Sequence, residues 1–147
     1  AAAVLTLPDS IAWLLNIRGS DLPRIPIVRS FAVLGADGSV ALFTDAEVDE
    51  SVRAHLGEAV GLHPYDALMA YLDTLTGPVR IDPSSAPHAI RLRLDQAGIE
   101  VQLGDDPCAL PKARKTQAEI AATAEAHLRD DPSLLPPVEI PPFERRS

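Results

Sequence analysis

The chain has 147 residues, 46% of them apolar and 23% charged, proportions of a folded globular domain that exclude a wholly disordered or collagen-like chain. With 13 Lys and Arg against 21 Asp and Glu, the net charge of −8 repels phosphate backbones and argues against nucleic acid as a partner. No apolar run approaches the roughly 20 residues that cross a bilayer, and Cys108 stands alone, so no intrachain disulfide forms and a reducing, cytoplasmic setting is expected.

In chain order, residues 10–17 hold Ile11, Trp13, Leu14, Leu15 and Ile17 between Pro8-Asp9 and Arg18-Gly19, and read as a buried strand with a helical turn before it. Residues 27–34 and 39–44 flank Gly35-Ala36-Asp37-Gly38, a hairpin signal because glycine takes the positive φ of a tight turn. Residues 49–56 carry acids in their first turn and predict a short helix. Tyr65, Leu68, Met69, Leu72 and Leu75 fall at helical spacings, giving an amphipathic helix over 64–75 closed by Gly77-Pro78. A strand at 79–81, a helix from Pro87 or His88 to Gly98 and a strand at 99–103 follow. The alternation implies an α/β domain with a mixed β-sheet flanked by helices. Pro111 then opens a long alanine-rich helix over 112–129. Five prolines in 131–147 make an irregular, Pro-rich tail. Ala1 is not a methionine and the only one is Met69, so the chain is expected to be a piece of something longer, incomplete on its N-terminal side.

Few residues offer chemistry. His55, His63, His88 and His127 lie in four segments without a second ligand at a metal-binding spacing. No nucleophile elbow or phosphate-cradling glycine loop is present, and Cys108 reads as a small buried apolar residue. Asp45, Glu47, Asp49 and Glu50 read as a solvated loop biased toward a helix N-terminus. The expected set is therefore catalytic none, metal none. Arg18, Gly19, Ser20 and Asp21 are the one constellation that stands out. Guanidinium, hydroxyl and carboxylate together suit a substrate end or a neighbouring domain, and equally suit a turn with an internal Arg–Asp pair.

The segment 9–32, DSIAWLLNIRGSDLPRIPIVRSFA, resembles the middle domain of three-domain Xaa-Pro aminopeptidases, where I-A-W-L-(L/F)-N-(I/L)-R-G-S-D precedes a P-V-x-x-(S/A)-(F/Y)-A strand. Residues 106–130 resemble the family's D-P-C-x-L-x-K-A-x-K passage through to A-H-(I/L)-R-D, and the resemblance covers about residues 5–130. It implies a creatinase/prolidase N-terminal-type domain, ribonuclease-H-like, over 1–110, the first helix of a catalytic domain over 111–130 and the tail over 131–147. It also implies a parent metallopeptidase that releases the N-terminal residue from peptides with proline second, using two divalent metal ions, usually manganese, held beyond Asp130. This chain would then hold no cofactor and be inactive alone. Its partners would be the missing catalytic domain, the peptide substrate of the full-length family and, as a further option, a second copy in a homodimer. The Arg18–Asp21 loop is the candidate for the substrate cleft or an interdomain contact.

Relatives continue past Asp130 with an apolar helix where this chain reads DPSLLPP, so an interrupted gene is expected, a point that sequencing the encoding DNA checks. The competing reading is a stand-alone interaction module that kept the fold and lost catalysis, binding through the alanine-rich helix and the tail.

Overall fold

The computed structural model describes residues 1–19, 27–114, 116–118, 120, 121 and 125. The chain divides into two compact units, Ala1–Ala113 and Arg114–Ser147. The first unit is built on a six-stranded mixed sheet in the order β4-β3-β2-β1-β5-β6. Its strands are β1 (Ala2–Leu5), β2 (Phe31–Gly35), β3 (Val40–Phe43), β4 (Val60–His63), β5 (Val79–Ile81) and β6 (Val101–Leu103), and its helices are α1 (Pro8–Leu15), α2 (Glu50–Leu56), α3 (Leu68–Leu72), α4 (His88–Gln96) and α5 (Ala109–Ala113).

The hairpin forms where the Asp-Gly pair places it. β2 and β3 are antiparallel, Gly38 takes φ +86°, and the Asp37 carboxylate accepts from both the backbone N–H and the hydroxyl of Ser39. β1 pairs antiparallel with β2 and parallel with β5. The parallel pairs β3–β4 and β5–β6 are each connected through a helix, α2 and α4, as parallel neighbours require.

Strand alternation separates two cores. Val4, Val33, Ala41 and Ile81 share one row across the sheet and pack under Leu68 and Leu72 of α3 and Ile90 and Leu94 of α4. Leu5, Ala32 and Leu42 form the opposite row, with Ile11 of α1 and Cys108 against it. Val40 to Phe43 are all buried, because β3 is covered on both faces.

Residues 8–15 are a helix, not the strand expected from the apolar run. Such a short run fits either state by pattern alone. Pro8 at the first position and Asp9 in the first turn suit a helix start. The end is a Schellman closure: Asn16 is left-handed at φ +49°, its N–H donates to Trp13 O, and Ile17 N–H donates to Ala12 O. Only Ser10, Ile11 and Ala12 are buried, and of these Ile11 joins the core on that face of the sheet.

The helix expected over 64–75 is shorter. A 3-10 turn at Tyr65–Ala67 leads into α3, which stops at Leu72, where the Thr74 hydroxyl donates to Tyr71 O. Leu68 and Leu72 supply the expected apolar face, but the Tyr65 ring packs on Phe31, 5.2 Å between centroids.

α2 and α4 lie where expected, α2 with Asp49 accepting from Val52 N–H as its N-cap. α5 starts before Pro111, at Ala109, whose N–H donates to Asp106 O. Arg114 is a bend and Thr116 lies outside a helix, so the expected single helix from 112 is interrupted. Helical backbone returns at Gln117, Ala118, Ile120, Ala121 and Glu125, and the remainder of that helix and the whole of 131–147 lie outside the described residues. Among the described residues no helix is long and apolar enough to cross a membrane.

Candidate functional site

The Schellman end of α1 delivers Arg18 and Gly19 to the surface beside α2. Arg18 is exposed, and its Nη1 donates to Ile17 O at 2.9 Å. Gly19 passes close under the returning chain, since a Cβ there would sit 2.6 Å from Ile27 O and 2.6 Å from Val28 Cγ2. That approach requires glycine for steric reasons. Ser20 and Asp21, the other two residues of the expected constellation, lie outside the described residues.

Two cavities flank Arg18. One, about 320 Å³, is walled mainly by Ile17, Val28, Leu42, Val48, Val52 and Leu56. The other, about 240 Å³, is lined by Asn16, Ile17, Arg18, Ser51, Val52 and His55. His55 has no second metal ligand at hand in the sequence. It is exposed and bonds across to α1, its Nε2–H donating to Leu15 O at 3.0 Å. Sequence reasoning gave no role to a cavity lined by both Arg18 and His55, because only the packing of α2 beside the end of α1 brings them to it.

His63, Asp45 and Asp49 have structural tasks. The His63 ring stacks on Phe43 at 5.1 Å and lies 5.3 Å from Tyr71. Asp45 accepts from Tyr65 N–H, and the Arg29 guanidinium lies over the Tyr65 ring, 4.3 Å from its centroid. Asp49, its carboxyl held below the usual range by the Val52 N–H and the Ser51 hydroxyl, caps α2. His127 lies outside the described residues. Among the described residues no three His, Cys, Asp or Glu side chains converge, so they do not fit a two-metal centre and no metal-dependent step is assigned to them.

The chain's exit toward α5 is tied back to the sheet. Asp82 Oδ1 accepts the N–H and hydroxyl of Ser84, its Oδ2 accepts Asp106 N–H at 3.0 Å, and these bonds, Ser84's first, hold its carboxyl below the ordinary range. Asp106 Oδ1 accepts Cys108 N–H at 2.7 Å. Lys112 pairs with Asp9 of α1, and that bond lowers the Asp9 carboxyl. Burial, and after it the Asp106 carboxylate, pushes the Cys108 thiol up to about 11.

Known proteins are similar to this chain in sequence and fold. Residues 1–119 match the family model described as the Creatinase/Prolidase N-terminal domain. A probable Xaa-Pro aminopeptidase P of Aspergillus niger is 31% identical over 145 residues, covering 92% of this chain and 24% of the relative. The Aspergillus flavus counterpart is 33% identical over 145 residues, covering 91% and 22%. Among solved structures, the X-prolyl aminopeptidase of Caenorhabditis elegans, described as a cytosolic enzyme with a di-nuclear active site, superposes with a TM-score of 0.77 at 30% identity, over 88% of this chain and 22% of that one. The creatinase/prolidase-like N-terminal domain of a Corynebacterium diphtheriae metallopeptidase matches at a TM-score of 0.51 and 15% identity, over 71% of this chain and 84% of that one, a likeness of fold. The chain thus spans less than a quarter of the length of the aminopeptidases it matches. Its mixed sheet and its two helix-covered cores are those of a known module, and the chain belongs to the creatinase/prolidase N-terminal domain family.

Proposed function

We propose that the chain is a noncatalytic domain of an Xaa-Pro aminopeptidase-like metallopeptidase, whose parent activity is release of the N-terminal residue from peptides with proline second. The observation that carries the reading is the span of the match: about nine-tenths of this chain aligns, against under a quarter of each aminopeptidase. Fold alone does not assign chemistry, so the role rests on those relatives rather than on the sheet.

On this reading residues 1–110 are the domain proper, 111–130 begin the catalytic part and 131–147 are a tail. The parent works in the cytoplasm with two divalent metal ions, manganese by the family's habit. This chain's partners are the catalytic domain and, through it, the peptide. The segment of Arg18, Gly19, Ser20 and Asp21 faces the cleft or the neighbouring domain. The test is hydrolysis of an X-Pro peptide by the purified chain with added manganese, alongside metal analysis. The expected outcome is neither turnover nor stoichiometric metal, and turnover that survives contamination controls overturns the proposal.

A further inference from the structure

Ile17, Arg18 and Val52 line both cavities described above, so a mostly apolar space and a polar one meet at a guanidinium. The apolar side is walled by α2, by Val28 and by Leu42 of β3. The polar side brings Arg18 together with Asn16, Ser51 and His55. A guanidinium has five N–H donors in a flat fork, and one of them, on Nη1, is used on Ile17 O, which orients the head. His55 is likewise held, by its bond to Leu15 O. The ligand chemistry such a pair of spaces recognises is an apolar side chain carried next to a carboxylate, since a fork-shaped cation matches two carboxylate oxygens and the apolar walls take the chain beside it. Glu47 also lines the apolar cavity and disfavours a second acidic group there.

We propose that this double cavity binds the free C-terminal carboxylate of a short peptide ending in an apolar residue, with Arg18 as the carboxylate contact and the space between Val28, Leu42, Val52 and Leu56 as the seat of the terminal side chain. The proposal rests on the peptidase reading above, in which such a peptide end is at hand, and adds a subsite that lies wholly within this chain. Arg18 acts here as a binding residue, separate from any chemistry.

The test uses the full chain and two probes, the tripeptide Ala-Pro-Leu with a free carboxylate and the same tripeptide as its C-terminal amide, with binding followed through the backbone amide signals of Arg18, Val52 and His55. The acid is expected to bind about tenfold more tightly than the amide, the scale of one hydrogen-bonded charged contact. Arg18→Gln, an exposed position whose melting temperature should match the parent chain, is expected to abolish that difference. His55→Gln reads the same cavity from α2 and is expected to weaken the acid more than the amide. Equal affinity for acid and amide, no binding at millimolar peptide, or a difference that survives Arg18→Gln each overturns the proposal. None of these outcomes touches the hydrolysis assay, so the family reading stands or falls separately.

Discussion

Cys108 shows how a single residue's chemistry is set by its surroundings. It is 3% exposed against Leu5, Ile11 and Leu42, and its thiol is pushed up to about 11 by burial and then by Asp106. The thiolate is the reactive form, so a disulfide-exchange reagent at about pH 8 should leave the native chain unlabelled. It should label one thiol per chain once the protein is unfolded. Rapid labelling without denaturant would show that the pocket around Cys108 opens readily. The residue type alone allowed the buried reading, since free cysteine is among the most buried side chains. Its distance from ordinary thiol behaviour was not legible, because Asp106 reaches it only by capping the turn into α5.

At the scale of elements, helix ends decided what apolar runs left open. α4 stops in the same way as α1: Gly98 at φ +70° donates to Asp95 O, and Ile99 N–H donates to Leu94 O. Nothing lies within 4 Å of a Cβ built on Gly98, so Gly98→Ala meets strain without a clash. That change should destabilise the chain by about 1 kcal/mol, the cost of a left-handed alanine, read as a lowered midpoint in chemical denaturation with unchanged slope. No loss at all would mean that the α4 end relaxes out of the left-handed conformation. The glycine at 98 made the end of α4 legible in the sequence, whereas Asn16 gave a weaker version of the same signal and α1 read as a strand. β4 was missed for a related reason: Gly61 in its middle weakens the strand pattern, and its pairing with β3 supplies what local propensity does not.

For the whole molecule, four carboxylates share one pH dependence. Asp9, Asp37, Asp49 and Asp82 all sit below their ordinary values, held respectively by Lys112, by Ser39, by the Val52 N–H with Ser51, and by Ser84. Because their folded values are depressed, their contribution is fully present above the unfolded carboxylate range near about pH 4 and is lost as pH falls through the folded values. Denaturation midpoints should therefore hold between neutral pH and about 5, then fall steeply below about 4. Asp82→Asn should lower the neutral-pH midpoint and make the acid fall shallower, because Asp82 joins the end of β5 to the turn before α5. An unchanged acid slope in that variant would remove Asp82 from the set.

What the sequence determined by itself was local: the Asp37-Gly38 hairpin, α2 behind its acidic cap, α4 with its glycine stop, the short strand at β5, and the motif strings that point to a family. Each is written in residues a few positions apart, where propensity, capping and turn geometry act. Tertiary structure alone decided that Ala2–Leu5 is a central strand, antiparallel to β2 and parallel to β5, and that Arg18 meets His55 at a shared cavity. Those outcomes depend on pairing and burial between segments far apart in the chain. Strand partners and cavity walls are satisfied only when the whole sheet closes, and a short apolar run carries no local trace of which neighbour it will find.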